Sequence, residues 1–285
     1  LGKPTEATSV RPGVVFLFTK SVDQYIYIYT NKVYIFMSET NQFDFPSQTL
    51  DLPSRGLLYP ETSPLSTGTI EIKMPTAVEE DILTNASFLE KGIVFDKLLK
   101  SIIVNKNIDP NDLLLGDYAT VLLAFRILAF GSDYVIKHDG DINHINLSTL
   151  KEKDIDPNLY IRGQNEFSFE TPSTKTVLTF KLLTRKDEKA INDEIKGIQS
   201  KLDKTFSGDV TIRLKHTILS VNGDSSVKTV REYVDRMPIR DSRALRSFIS
   251  VISPDHQMKC DFTKANGEVV EDLDIPITVD FFWPK

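Results

Sequence analysis

The sequence has very few of the residues that form disulfides or bind metals. It contains one cysteine, Cys260, and four histidines that lie far apart. One cysteine excludes a disulfide within the chain, and a zinc site needs about four ligands, which these residues could hardly supply together. The composition therefore fits a reducing, cytoplasmic setting, and we expect no metal and no other cofactor.

Long apolar runs and clusters of positive charge are also missing. The most apolar stretch, residues 121–130, contains Arg126 and is about half as long as a membrane span of roughly 20 residues. The chain has 34 basic and 40 acidic residues, a formal charge of −6, and its basic residues are scattered. Affinity for phosphates needs clustered lysine and arginine, so we expect neither a membrane span nor a nucleic acid partner.

The remaining composition is that of a folded globular protein. Of the 285 residues, 40% are hydrophobic and 26% are charged, which is enough to form a sizeable core. Residues 1–36 differ from the rest because they include the β-prone run YIYIYTNKVYIF, whose alternating Tyr and Ile are typical of an edge strand. Met37 then opens a conventional polar start. We therefore expect residues 1–36 to be a non-native N-terminal extension of a protein that begins at Met37.

Residues 37–131 are predicted to form an extended arm followed by a small helical bundle. The arm contains DLPSRGLLYPETSP, which is rich in turn residues, and leads to the half-buried strand TIEIKM. Thr76 and Glu79 form a capping box, which marks the start of a helix. The predicted helices cover residues 77–90, residues 93–104 and, after a cap at Asp117, the stretch to Phe130. The last of these is apolar nearly all round, as is typical of the central helix of a bundle.

Residues 132–285 are predicted to contain β-hairpins and two further helices. Hairpins are indicated by Asp139-Gly140, by the Pro-Ser turn in EFSFETPSTKTVLTFKLL and by Asn266-Gly267 in the C-terminal segment. We place Phe167, Phe169, Val177 and Thr179 on the apolar face of the middle hairpin. The fold class is thus α+β: an N-terminal extended wrap, a small helical bundle, then β-hairpins with a charged helix and a C-terminal β-hairpin.

The two further helices have narrow apolar faces. A charged helix is predicted over residues 187–204, and its apolar positions are Ile191, Ile195, Ile198 and Leu202. Such a seam suits either a helical hairpin or a partner helix. The other helix is predicted to run from a cap at Asp241 or Ser242 to Ile252.

No group of residues has the pattern of a catalytic site. Glu79, Glu80 and Asp81 are consecutive, and side chains of neighbouring helical residues point about 100° apart, so they do not converge. The loop between His138 and His144 lacks the closing glutamate of a calcium loop, since Leu150 occupies that position. We assign no catalytic residues and no small-molecule substrate, and we expect the protein not to be an enzyme.

Arg126 is the one charge in an otherwise apolar helix. An unpaired buried charge is very costly, so we predict a buried or half-buried ion pair with Glu79 or Asp81. The alternative is a position on the surface of the bundle.

Two segments are candidates for binding a partner protein. The C-terminal aromatics Phe281, Phe282 and Trp283 would form a sticky patch in water, so they either fill the protein's own core or dock into a partner. Three arginines, Arg240, Arg243 and Arg246, surround Asp241. They are read as solvated residues beside a local cap, as an interface patch, or as an anion site at a helix N-terminus.

Five segments together resemble the baseplate hub assembly family of T-even-type bacteriophages, which have contractile tails. The segments are LPSRGLLYP (52–60), TAVEEDILT (76–84), LLLGDYATVLLAFRILAFG (113–131), RDSRALR (240–246) and FFWP (281–284). FSFETP and FKLLT fit the same pattern. The resemblance covers nearly the whole chain from residue 50 to the end.

The resemblance implies a role in virion assembly without catalytic activity or cofactor. The implied partners are other baseplate hub proteins, and the implied location is the host cytoplasm during assembly or the baseplate of the virion. A transient chaperone and a permanent virion subunit remain alternatives. A tail-associated hydrolase is a third, for which no convergent acid pair or activated nucleophile is visible. Some relatives carry a CxxC pair in the C-terminal hairpin, whereas Cys260 stands alone here.

Overall fold

The structure is a computed structural model that describes residues 7–11, 14–17, 24–29, 32–37, 46–201 and 208–283. The chain divides into two units, residues 1–46 and residues 47–285. The first unit contains four strands, β1 (Ala7–Arg11), β2 (Val14–Leu17), β3 (Gln24–Tyr29) and β4 (Lys32–Met37). They pair antiparallel in chain order, so the Tyr/Ile run includes an interior strand, β3, as well as the edge strand β4. The interpretation of residues 1–36 as an extension stays a prediction.

The second unit begins with a pair of strands that enclose the turn-rich arm. Strand β5 (Ser47–Asp51) pairs antiparallel with β6 (Thr69–Lys73). In β6, Ile70 and Ile72 are buried while Glu71 between them is exposed, which confirms the half-buried strand predicted from TIEIKM. The arm between the two strands is therefore anchored at both of its ends.

Four helices follow, and the first predicted helix is divided in two. They are α1 (Ala77–Thr84), α2 (Ala86–Glu90), α3 (Val94–Ile102) and α4 (Leu115–Phe130). Asn85 is extended between α1 and α2, and its side chain accepts a hydrogen bond from the backbone N–H of Phe88. The prediction of a single helix over residues 77–90 was wrong. Asn85 interrupts it, because an Asn side chain competes with the helical backbone hydrogen bonds and is a preferred N-cap.

Glu79 links α1 to its neighbours. Its carboxylate accepts hydrogen bonds from the backbone N–H and hydroxyl of Thr76, as expected of a capping pair, and also from Ser101 in α3. Lys73 in β6 forms an ion pair with it at 2.8 Å. Burial alone would raise the pKa of Glu79, but Lys73, Ser101 and Thr76 outweigh burial and lower the pKa to about 2. This carboxylate therefore does not pair with Arg126.

Helix α4 is buried along most of its length, which confirms its central position. It begins two residues before Asp117, so Asp117 lies in the first turn and is not the cap. Gly116 is in close contact with the chain after the last helix: a Cβ atom there would lie 2.0 Å from the carbonyl oxygen of Pro254.

The hairpins predicted at Asp139-Gly140 and at Asn266-Gly267 are both present. Strands β7 (Asp133–His138) and β8 (Asp141–Asn146) are joined by Asp139 and Gly140, whose φ angles of 50° and 91° are those of a tight hairpin turn.

In the middle hairpin the predicted apolar face is right for the first strand, at Phe167 and Phe169, and wrong for the second strand, at Val177 and Thr179. Strand β9 (Phe167–Glu170) pairs with β10 (Val177–Phe180) so that Leu178 faces Phe169 and Phe180 faces Phe167. These four residues form the apolar face, whereas Val177 is 45% exposed. Cross-strand partners share a face, and a register difference of one residue moves every side chain to the other face. Strand β11 (Ile218–Val221) extends the sheet on the β10 side.

Four more helices and a hairpin complete the second unit. They are α5 (Arg185–Lys201), α6 (Asp209–Thr217), α7 (Val227–Arg236), α8 (Ile239–Ile252), β12 (Lys259–Thr263) and β13 (Val269–Asp274). Ile191 of α5 is fully buried, and α5 packs against α6 through the bidentate pair of Glu188 with Arg213. The predicted seam residue Leu202 and the predicted helix end at Lys204 lie outside the described residues.

The start of α8 differs from its prediction. The first helical hydrogen bond runs from the N–H of Ser242 to the carbonyl of Pro238, so Asp241 and Ser242 lie inside the helix. Neither is the N-cap, because Met237-Pro238 is extended and the helix begins immediately after it.

We predict that Gly116→Ala destabilises the second unit. The new methyl group would overlap a backbone oxygen that cannot rotate away, and overpacking of this kind costs about 1–3 kcal/mol. Gly197→Ala is the matched control because no atom of the described residues lies within 4 Å of its Cβ position in α5, so the same change should be neutral or mildly stabilising. Urea unfolding of both variants measures the difference, and equal stabilities would contradict the close contact at Gly116.

Candidate functional site

The C-terminal aromatics lie in the protein's own core. Phe281 and Phe282 are fully buried, and Trp283 is half-buried. The ring of Phe282 lies 5.7 Å from that of Phe125 in α4, and the ring of Trp283 lies 6.1 Å from that of Phe130. The C-terminal aromatics therefore fill the protein's own core and do not dock into a partner protein. Phe281 and Phe282 have no exposed surface for such a contact. Pro284 lies outside the described residues.

Arg126 is buried and has no ion pair with an acidic residue among those that the structure describes. Its Nε donates to the carbonyl of Phe281 at 2.9 Å, and its Nη atoms donate to the carbonyls of Gly131 at 2.6 Å and Asp133 at 3.1 Å. The predicted ion pair with Glu79 or Asp81 is therefore wrong. The last turn of a helix leaves carbonyl groups without partners, and the guanidinium satisfies carbonyls at and beyond the end of α4. Burial lowers the pKa of Arg126.

This contact fixes the C-terminal tail to α4. The bond to Phe281 spans 155 residues of sequence, and the side chains of Phe130 and Tyr134 lie near the guanidinium at 5.5 and 5.9 Å. The arginine thus joins the end of the bundle, the strand that follows and the tail in one arrangement.

The opposite end of α4 holds a buried carboxylate. Asp117 accepts hydrogen bonds from the backbone N–H of Ser54 at 3.0 Å, from the Ser54 hydroxyl at 2.6 Å and from the Tyr59 hydroxyl at 2.6 Å. The Tyr59 oxygen in turn accepts from the N–H of Leu114 at 2.8 Å. Both Asp117 and Ser54 are almost completely inaccessible. The turn-rich arm is therefore held against the start of α4.

The electrostatics of this cluster keep Tyr59 a donor. Burial, together with the neighbouring Asp117, raises the pKa of Tyr59 far above its usual value, so the phenol stays protonated. Burial also raises the pKa of Asp117, although the bonds from Ser54 and Tyr59 oppose this effect. The predicted cap role of Asp117 is wrong, and the cluster was not predicted. The only signal was that these residues lie in two of the segments that carry the family resemblance.

Asp241 has a similar role in α8. It is fully buried and accepts hydrogen bonds from the N–H groups of Ser173 and Thr174 at 2.7 and 3.1 Å and from the Thr174 hydroxyl. Its carboxylate therefore orients the turn between β9 and β10. It points away from the three arginines that surround it in the sequence.

Arg240, Arg243 and Arg246 are the predicted site residues that face solvent. All three are exposed on α8, and none has an ion-pair or hydrogen-bond partner among the residues that the structure describes. The structure therefore separates the six predicted residues into a buried aromatic group and an exposed arginine group.

A cavity of about 440 Å³ lies beside the arginine group. It is lined by the start of α4, the segment after β10, the helix α6 and the end of α8 with the residues that follow. Eight of the lining residues have apolar side chains, including Leu115, Leu182 and Val210, and eight have polar or charged side chains, one of which is Arg246. The walls of this cavity come from four separate segments, so no local sequence pattern predicts it.

The remaining candidates lie apart from these features. His216 pairs with Glu194 and His144 with Asp133, each as a single contact. Within the described ranges, no cluster of three or more His, Cys, Asp or Glu side chains could hold a metal ion. In the same part of the chain, no helix is both long enough and apolar enough to cross a membrane. No family model, no curated protein and no solved structure matches this chain.

We predict that Tyr59→Phe costs about 1–3 kcal/mol of stability, because it leaves the N–H of Leu114 without an acceptor and Asp117 with one donor fewer. The matched control is Tyr118→Phe. The Tyr118 hydroxyl is also buried, and although Asp96 and Arg185 lie near it, it forms no hydrogen bond of normal geometry within the described residues, so its removal should cost less. Denaturant unfolding of the two variants compares them, and an equal loss would argue against the Asp117 cluster.

We also predict that Arg126→Met is destabilising by about 3 kcal/mol, since three carbonyl groups lose their donor. Arg126→Lys should recover part of this loss because the ammonium group can reach fewer of the carbonyls at once. Thermal unfolding and limited proteolysis of the tail test the prediction. A variant with normal stability and a protected tail would show that the three bonds are not needed.

Proposed function

We propose that this chain is a non-enzymatic assembly protein of the baseplate hub of a contractile phage tail, acting by protein–protein contact. The observation that carries the proposal concerns the segments that resemble the hub assembly family. They are distant in sequence, and in the structure three of them contact one another directly.

Three contacts join these segments. Ser54 and Tyr59 of LPSRGLLYP bind Asp117 of LLLGDYATVLLAFRILAFG. Asp241 of RDSRALR binds the turn that follows FSFETP. The carbonyl of Phe281 in the tail accepts from Arg126 in α4. Because these contacts join segments from the arm, from α4 and from the tail, they support extending the resemblance from the separate segments to the second unit.

The proposal assigns the buried polar groups to structure and the exposed face of α8 to contact with other hub proteins. Asp117 and Asp241 are each saturated by hydrogen bonds from their own chain, which suits a scaffold more than acid–base chemistry. The proposed setting is the host cytoplasm during assembly. A permanent place in the virion baseplate is the alternative within the same role.

Disruption of the gene in the phage that carries it tests the role. We expect the loss of complete baseplates and the accumulation of hub intermediates, with recovery when the gene is supplied in trans. Contractile tails formed in normal yield would overturn the proposal. Mass spectrometry of intermediates beside mature particles then separates a transient chaperone, found only in the intermediates, from a permanent subunit, found in both.

A further inference from the structure

The outer face of α8 carries positive charge that nothing in the described structure neutralises. At 100° per residue, Arg240, Arg243 and Arg246 fall on the solvent side, and Leu245 and Ile252 fall on the buried side. The only acidic residue of the helix, Asp241, is turned inward and saturated. Three unpaired arginines on one face are unexpected in a chain with a net charge of −6.

Exposed apolar side chains accompany these arginines. Ile239 is 79% exposed and Val251 is 62% exposed, and both lie on the outer side of α8. Arginine mixed with apolar residues, without lysine or acidic residues, is the composition of the central part of protein interfaces.

The cavity continues this surface. Arg246 and Ser250 belong to the outer face of α8 and also line the cavity. Its volume of about 440 Å³ is ample for an aromatic side chain, since a cavity of about 150 Å³ already holds a benzene ring.

The charges inside the cavity indicate what it can accept. Lys181 and Arg213 in the lining are already paired with Asp187 and Glu188 of α5. Two acidic residues, Asp209 and Asp255, also line it. An anionic group is therefore disfavoured inside, whereas an apolar side chain fits, and anionic groups are attracted to the arginines outside.

We propose that the outer face of α8 and this cavity form one docking surface for an acidic segment of a partner protein. An apolar side chain of the segment occupies the cavity, and its flanking carboxylates pair with Arg240, Arg243 and Arg246. This inference rests on the proposed function, because it names the chemistry of the partner that assembly by protein contact requires. A nucleic acid would satisfy the arginines but leave the apolar cavity without an occupant.

The test uses the full chain and labelled synthetic peptides, with fluorescence anisotropy as the readout. The first peptide is rich in Glu and Ser and has one central Phe, and the second has Ser in place of the Phe. We expect the Phe peptide to bind about tenfold more tightly than the Ser peptide, since one buried apolar group contributes this much. Its affinity should fall with added salt because exposed charges are screened.

Variants assign the binding to the surface. Arg243→Glu with Arg246→Glu should weaken both peptides by about tenfold or more. Lys91→Glu with Lys100→Glu, at two exposed lysines away from α8, reverses the same number of charges and should change nothing. Val210→Trp narrows the cavity, so it should weaken the Phe peptide and leave the Ser peptide unchanged. Unfolding temperatures of all variants confirm that each is folded.

Three results would overturn the inference: equal affinity for the two peptides, no effect of the double arginine reversal, or tighter binding of single-stranded DNA of equal charge. Because the assay needs no phage, its outcome is separate from the gene-disruption result. Failed peptide binding with lost baseplates would reject this surface and leave the hub role standing, whereas peptide binding with normal tails would reject only the hub role.

Discussion

Burial of α4 on nearly all sides is the constraint on which the rest of this structure depends. The helix carries an acid near one end, Asp117, and a base near the other, Arg126, and both are removed from water. Neither has an ion-pair partner in the described structure. Each is satisfied by neutral groups of the chain, which avoids bringing a second charge into the core.

These neutral partners determine how the ends of the second unit are placed. Ser54 and Tyr59 come from the arm that precedes the helices, and the carbonyl of Phe281 comes from the last residues described. The hydrogen bonds that satisfy Asp117 and Arg126 therefore hold both the arm and the tail against α4. Helix α8 has the same kind of contact, since Asp241 binds neutral groups of a neighbouring turn while the three arginines face solvent.

Local patterns predicted the elements well where the deciding chemistry was local. Asp139-Gly140 indicated a hairpin because a tight turn needs positive φ at both residues. The burial of α4 followed from its apolar composition. The predictions failed where neighbours decide: Asn85 could continue a helix or cap a new one, and the face of the hairpin at Val177 depended on the register of its partner strand.

The sequence by itself determined the α+β class, the hairpin turns and the buried helix, because turn chemistry and periodicity act over a few residues. Only the tertiary structure decided that Ser54 binds Asp117 and that the carbonyl of Phe281 binds Arg126, since these partners are 63 and 155 residues away. It also decided that the C-terminal aromatics are internal, that the arginines of α8 have no partner among the described residues and that a cavity adjoins them. These properties depend on which distant segments come into contact when the core excludes water. Residue spacing along the chain does not predict those contacts.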